Sequence, residues 1–181
     1  PAWVKKYGKN TAFFCTNDAH TEPLLKQLAK HGGYFIEADL PSPLMGYPGA
    51  LGIDLTKEAG KWPVILKKVE QAVIKAGAKG RMGTWAYSYG YTNSIALAEF
   101  GKRVVEKKAK VTSKKDLMAC YAEYTPGAKW NAGYYTDLGT GVTNKKHFLV
   151  YEDTYIMGKG YMNATSVKVP AKYEKIKLSS K

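Results

Sequence analysis

Short apolar runs alternate with segments of helical period along the first two-thirds of this chain, and glycine closes two of those helical segments. Thr11–Thr16 follows the turn Gly8-Lys9-Asn10 and is rich in strand formers. Thr21-Glu22-Pro23 then opens a helix with Leu24, Leu25 and Leu28 on one face, which Gly32-Gly33 ends. Tyr34–Ala38 reads as a second strand. Trp62, Ile65, Leu66, Val69, Ala72, Val73 and Ala76 fall at helical spacing before the stop at Gly77. The stretch GRMGTWAYS is a third strand. Tyr91–Lys107 reads as a helix with Ser94, Leu97, Ala98, Gly101, Val104 and Val105 on one face, Gly101 marking a close helix contact. A helix over Lys114–Tyr124 ends at Pro126-Gly127. Trp130–Thr136 and His147–Tyr155 are β-like and are joined by the turn Gly139–Gly141. Such alternation predicts an α/β fold, Rossmann-like, with a mostly parallel sheet, flanking helices and right-handed crossovers.

Ligands of such sheets sit at the carboxyl ends of the strands. Three places meet that description: Asn17–His20, Asp39–Tyr47 and Trp85–Tyr89. The segment from Asp39 to Asp54 carries Pro41, Pro43 and Pro48 and reads as a long ordered loop without regular structure. Asp39 and Ser42 suit hydroxyl or amine recognition, or a loop-stabilising hydrogen bond. Asn17 and Asp18 suit a polar ligand, but Asx residues between strand and helix are also ordinary caps. Trp85, Tyr87, Tyr89 and Tyr91 alternate, so extended chain would place them on one face as a stacking platform or as a core stripe. His20 reads as a polar wall or an exposed first-turn residue, and Glu152-Asp153 as a solvated turn.

Charge and cysteines narrow the alternatives. The 28 basic residues outnumber 15 acids, for a net charge of +13, which would attract polyanions. Only Arg81 and Arg103 are arginines, however, and the lysines are scattered in short pairs, as on solvated faces. Nucleic acid is therefore not the expected partner. Cys15 and Cys120 lie in no metal-binding spacing, so no metal or cofactor is expected. Cys15 with His20 could be written as nucleophile and base, but Cys15 sits within an apolar run and lacks an identifiable third member.

The stretches TNDAHTEPLLKQ, DLPSPLMGYPGALGIDL, RMGTWAYSYGY and YEDTYIMGKGYM resemble an uncharacterised family of proteins named as bacterial lipoproteins with a type I periplasmic-binding-protein fold. The likeness runs from about Trp3 to Tyr161. It implies that Asn17 and Asp39 meet ligand hydroxyls and that Trp85–Tyr87 make a contact near the hinge. It also implies a C-terminal fragment: residues 1–85 from the second lobe, 86–161 returning toward the first, and 162–181 a tail. A lipid-anchored, extracytoplasmic whole protein follows, with a missing N-terminal lobe or a second copy as neighbour.

These readings together lead to the expectation of a non-enzymatic solute-binding module serving an ABC-type transporter or sensor. Its ligand set would be Asn17, Asp18, His20, Asp39, Ser42, Tyr47, Trp85, Tyr87 and Tyr89. The rivals are a basic nucleic-acid-binding domain and a Cys/His hydrolase.

Overall fold

In the computed structural model, residues 1–164 of the chain are described. Helix α1 (Ala2–Tyr7) leads to β1 (Ala12–Phe13), α2 (Thr21–His31), β2 (Tyr34–Phe35), α3 (Tyr47–Leu51), α4 (Trp62–Lys75) and β3 (Gly83–Thr84). The chain then runs through α5 (Tyr89–Val105), α6 (Lys114–Tyr124), β4 (Trp130–Thr136) and β5 (Thr143–Glu152), and returns as β6 (Tyr155–Ile156) and β7 (Gly160–Tyr161).

Mixed α/β architecture is present, but the sheets are not mostly parallel. β1 and β2 pair in parallel, and a parallel bridge from Phe35 to Met82 extends that arrangement toward β3. The pairs β3–β6, β6–β7 and β4–β5 are all antiparallel. The reason lies in the last third of the chain. There β4–β5 and β6–β7 follow one another through short turns, which make antiparallel neighbours. Strands β3 and β6 are distant in sequence and pair antiparallel because the chain returns along β3 after β5.

Two hydrophobic clusters organise the chain. The first is built on the inward faces of α2 (Leu25, Leu28) and α4 (Ile65, Val69, Val73), which close over Phe35, Met82, Tyr47 and the returning Met157. The α4 residues recur every four positions, so they form one stripe, and burying each contributes roughly 1.5–3 kcal/mol. The second cluster joins Ala96 and Phe100 of α5 to Leu117, Cys120 and Tyr121 of α6, with Trp130, Phe148 and Val150 of the β4–β5 hairpin packed against it. That hairpin shifts register between Tyr134 and Tyr135.

Several expectations need correction here. The proline-rich segment holds the short helix α3, because Pro48 sits in its first turn and both flanking glycines adopt left-handed backbone. Helix α5 starts at Tyr89 and buries Thr92, Ala96 and Phe100; Leu97 and Val105 are exposed. The larger apolar side chains misled the reading, since the face toward α6 favours small residues and one aromatic. Gly101 lies on the open side, and a methyl there would touch nothing within 4 Å. His147–Tyr155 is not one strand: β5 ends at Glu152, and Tyr155 opens β6. Of the expected 162–181 tail, residues 165–181 lie outside the described residues.

Candidate functional site

Two links draw the three strand ends together. Asp18 Oδ1 accepts a hydrogen bond from Leu40 N at 3.2 Å, tying the turn after β1 to the loop after β2. Pro41 O accepts from Tyr89 N at 2.9 Å, tying that loop to the start of α5. Leu40, Ser42, Met45, Ser88 and Tyr89 border a shallow groove of about 370 Å³ at the second junction.

The expected site residues divide into those at this edge and those used inside the protein. Asn17 caps the turn after β1, its Oδ1 accepting from Ala19 N at 2.9 Å. Asp39 and His20 are exposed. Ser42 is buried and its Oγ accepts from Leu44 N at 3.1 Å, which holds the loop's turn. Tyr47 is 1% exposed and donates its hydroxyl to Gly83 O at 2.8 Å, so it pins α3 to β3 inside the core.

The aromatic run does not form a free platform. Trp85 and Tyr87 are buried, and extended chain gives way to helix at Tyr89, which ends the alternation. Trp85 packs edge-on to Trp130 at 5.4 Å and lies 5.6 Å from Tyr89. Tyr87 donates to Pro126 O at 2.9 Å and sits beside Trp62. Tyr89 keeps its ring partly exposed at the groove.

His20 lies elsewhere, on a groove of about 460 Å³ lined by Trp3, Phe13, Phe14, Cys15, Leu24 and His31 among others. Burial pushes the Cys15 thiol up, so the thiolate needed for attack is disfavoured.

Sequence reasoning missed the acids that the fold buries. Residues 85–88 carry the chain out from the first cluster, and residues 152–154 carry it back. At this double crossing Glu152 Oε1 accepts from Ala86 N at 3.0 Å and from the Tyr161 hydroxyl at 3.3 Å. Its Oε2 has no partner among the described residues. Burial, with the charge of Glu37 adding to it, pushes the Glu152 carboxyl up to about 8. Glu37 follows β2, accepts from the Thr154 hydroxyl, and is itself raised by burial and by the nearby Asp153. Asp153 accepts from the backbone of Asn163 and Ala164 at 2.5 and 2.9 Å. Glu152 and Asp153 are thus buried, not on a solvated turn. The signal was available: Phe148, Val150 and Glu152 are at alternate positions of one strand and must share its inward face.

Among the described residues, no three His, Cys, Asp or Glu side chains gather closely enough to hold a metal ion, and no helix is long and apolar enough to cross a membrane.

Comparison with known proteins adds relatives without a known activity. Residues 1–83 match the family described as "Protein of unknown function (DUF3798)". A second family model matches residues 94–176. An uncharacterised protein of Treponema pallidum (strain Nichols) is 39% identical over 80 residues, which is 44% of this chain and 35% of that protein. The fold resembles a solved structure from Clostridium difficile 630, provisionally described as a transcriptional regulator, with a TM-score of 0.70 at 21% identity. That likeness covers 86% of this chain and 43% of the other, so the chain spans less than half the length of the proteins it matches.

Proposed function

We propose that this chain is part of a solute-binding module of the type I periplasmic-binding-protein class, taking a small polar or aromatic solute at the carboxyl ends of β1–β3. The observation that carries the reading is the convergence of three strand-end loops through Asp18–Leu40 and Pro41–Tyr89. Ligand crevices of open α/β sheets lie at such an edge. The double crossing at 85–88 and 152–154 adds support, because two hydrophobic clusters joined by a narrow pair of segments can move as lobes.

On this reading the whole protein is extracytoplasmic, anchored as a lipoprotein, non-enzymatic, and hands its solute to a membrane transporter or sensor. Asn17, Asp18 and Asp39 supply polar contacts and Tyr89 an aromatic one. Further chain, or a second copy, covers exposed apolar residues such as Trp3, Phe14, Leu97 and Leu149.

The test is a thermal-shift screen of sugars, nucleosides, amino acids, amines and carboxylates, with mass spectrometry of small molecules released from freshly purified protein. A solute that raises the melting temperature, and loses that effect in Asp39→Ala, supports the reading. A complete absence of stabilising solutes overturns it.

Net charge and the name of the Clostridium difficile neighbour favour a second reading, binding to nucleic acid. Both arginines are already engaged, which argues against it. Arg103 pairs with Glu99 at 2.7 Å and with Glu123, while Arg81 donates to Lys9 O at 2.7 Å and covers the Tyr34 ring. Affinity for a random DNA duplex that falls steeply with salt and persists in the physiological range would establish that rival.

A further inference from the structure

This inference stands apart from the solute-binding reading and concerns the far end of the second cluster. Helix α5 begins at the crossing and runs 17 residues to Val105, a rise of about 25 Å. The β4–β5 hairpin also leads away from the crossing, from the Trp130–Glu152 pair to its turn at residues 137–142. The two arms meet again at their far ends. Tyr134 of β4 donates its hydroxyl to Thr112 O at 2.8 Å, and Lys114 Nζ lies 4.9 Å from the Tyr134 ring. The α5–α6 turn and the hairpin turn therefore share one end face.

Three lysine pairs that are scattered in sequence come together there: Lys107-Lys108, Lys114-Lys115 and Lys145-Lys146. The last pair sits in the register shift opposite Tyr134 and Tyr135. With Lys110 they make seven lysines against Glu106, Asp116 and Asp137 over residues 105–116 and 137–147. The acids are turned to local work. Glu106 pairs with Lys108 at 2.8 Å, Asp116 accepts from Lys110 N at 2.9 Å, and Asp137 accepts from Thr140 N at 2.7 Å. The C-terminus of α5 and the N-terminus of α6 bring opposite partial charges to this face and cancel.

Charge alone would describe a solvated face, but the apolar side chains do not fit that account. Leu138 at 88% and Val105 at 83% are the most exposed large hydrophobic side chains among the described residues, and Val142 and Val111 are exposed on the same face. The hairpin turn that carries Leu138 and Val142 is closed by hydrogen bonds. Gly141 N donates to Asp137 O at 2.8 Å, and Asp137 N to Val142 O at 3.0 Å. Gly141 supplies the left-handed backbone, with φ at 70°. An ordered turn thus displays two aliphatic tips among lysines.

We propose that this end face docks on an anionic lipid bilayer, its lysines meeting headgroup phosphates while Leu138, Val142, Val105 and Val111 enter the boundary with the acyl chains. A bilayer offers anions and an apolar layer side by side, and so answers both halves of the pattern. Duplex nucleic acid offers phosphates but no apolar layer for aliphatic tips. Single strands are gripped by free aromatic rings, and Tyr134 and Tyr135 are already packed on Phe148 and His147. All seven cations are lysines, which suit diffuse attraction better than forked recognition. The groove beside Tyr89 lies at the other end of α5, so docking here leaves it clear of the bilayer.

The experiment is flotation of the chain with vesicles of phosphatidylcholine alone and with about one-third phosphatidylglycerol, at low and at physiological salt. Anionic vesicles should bind the chain at least about tenfold tighter than neutral ones, and salt should weaken that binding. Leu138→Ser with Val142→Ser should weaken it severalfold and keep its salt dependence. Lys110→Gln with Lys115→Gln should weaken it about tenfold or more, since each lysine near such a surface is worth about fivefold. Lys67→Gln with Lys75→Gln removes the same net charge from exposed positions of α4 and should change affinity by about threefold at most. Unchanged melting temperatures check that every variant is folded. Absence of binding to anionic vesicles, or equal losses in the two lysine double variants, would overturn the docking face. Binding that the Leu138 and Val142 variant leaves unchanged would overturn it too, because charge alone would then act. Tighter binding to a DNA duplex than to vesicles would give the face to nucleic acid instead. None of these outcomes bears on solute binding, which its own screen decides.

Discussion

The carboxyl of Glu152 accepts a hydrogen bond from the backbone N–H of Ala86 at 3.0 Å, and so fastens the chain's return crossing to its outward one. Sixty-six residues of sequence separate these two partners. The segment between them, from α5 to the β4–β5 hairpin, is held to the first cluster here, by the bond from Tyr89 N to Pro41 O, and by Tyr87 and Tyr91 against Trp62.

That junction should make stability depend on pH. The folded-state carboxyl is raised to about 8 from an ordinary 4.5, so between those values the folded protein holds a proton that the unfolded chain has released. Stability from this group is therefore complete below the lower value and is lost as pH rises through the higher one. Glu37, also raised, acts with the same sign. Asp54, Asp116 and Asp137 are lowered by hydrogen bonds and lose their contribution only in acid, outside this window. Melting temperature should fall from about pH 5 to about pH 9, and Glu152→Gln should flatten most of that slope. An unchanged slope in the variant would place the titration elsewhere.

Tyr47→Phe tests a residue that the sequence offers as a ligand contact and the structure uses as a pin. The hydroxyl is buried and donates to Gly83 O at 2.8 Å. Its removal leaves that carbonyl unpaired and should cost about 1–2 kcal/mol in a urea melt. Affinity for any solute found in the screen should stay within a factor of two of wild type. A large loss of affinity at unchanged stability would return Tyr47 to the binding set.

How legible the fold was depended on which physical signal each element carries. Helix α4 was readable because Ile65, Val69 and Val73 form one stripe against one core, which the period of 3.6 reports directly. Helix α5 was not, because it buries Thr92 and Ala96 while leaving Leu97 exposed, so hydrophobicity and burial diverge. Strand existence was legible and strand pairing was not, since β3 takes the distant β6 as its neighbour and nothing local announces that. At the candidate site, loop placement followed from strand ends and helix starts. The acids did not, because a buried carboxylate reads as a surface one until the strand's inward face is counted.

Gly83 makes the packing of β3 testable. A methyl group at this position would stand 2.4 Å from Ile36 O and 2.9 Å from Thr154 Cγ2. The first is backbone of the neighbouring strand end and cannot rotate away. Gly83→Ala should therefore destabilise by about 1–3 kcal/mol or more, or give insoluble protein. Gly101→Ala is the control: that position is open, and relief of backbone entropy in a helix should stabilise by up to about 1 kcal/mol. Opposite signs in the two variants, measured by the same denaturant titration, would establish that glycine serves approach in β3 and serves nothing comparable in α5.

The two cysteines decide how far the hydrolase alternative extends. Cys15 is 5% exposed and Cys120 is fully buried, and burial raises both thiols above their ordinary value. Alkylation needs thiolate and access, and the fold withholds both. Iodoacetamide at neutral pH should modify the native protein on the order of a hundredfold more slowly than the chain unfolded in guanidinium, with both adducts then appearing together in the intact mass. A single rapid adduct at Cys15 in the native protein would have a different meaning. Cys15 and His20 line the same groove, so fast labelling there would mark an accessible thiolate beside a base and revive nucleophilic chemistry on the α2 side of β1. Slow labelling leaves that groove an apolar surface and the strand-end crevice beside Tyr89 the place to look for a ligand.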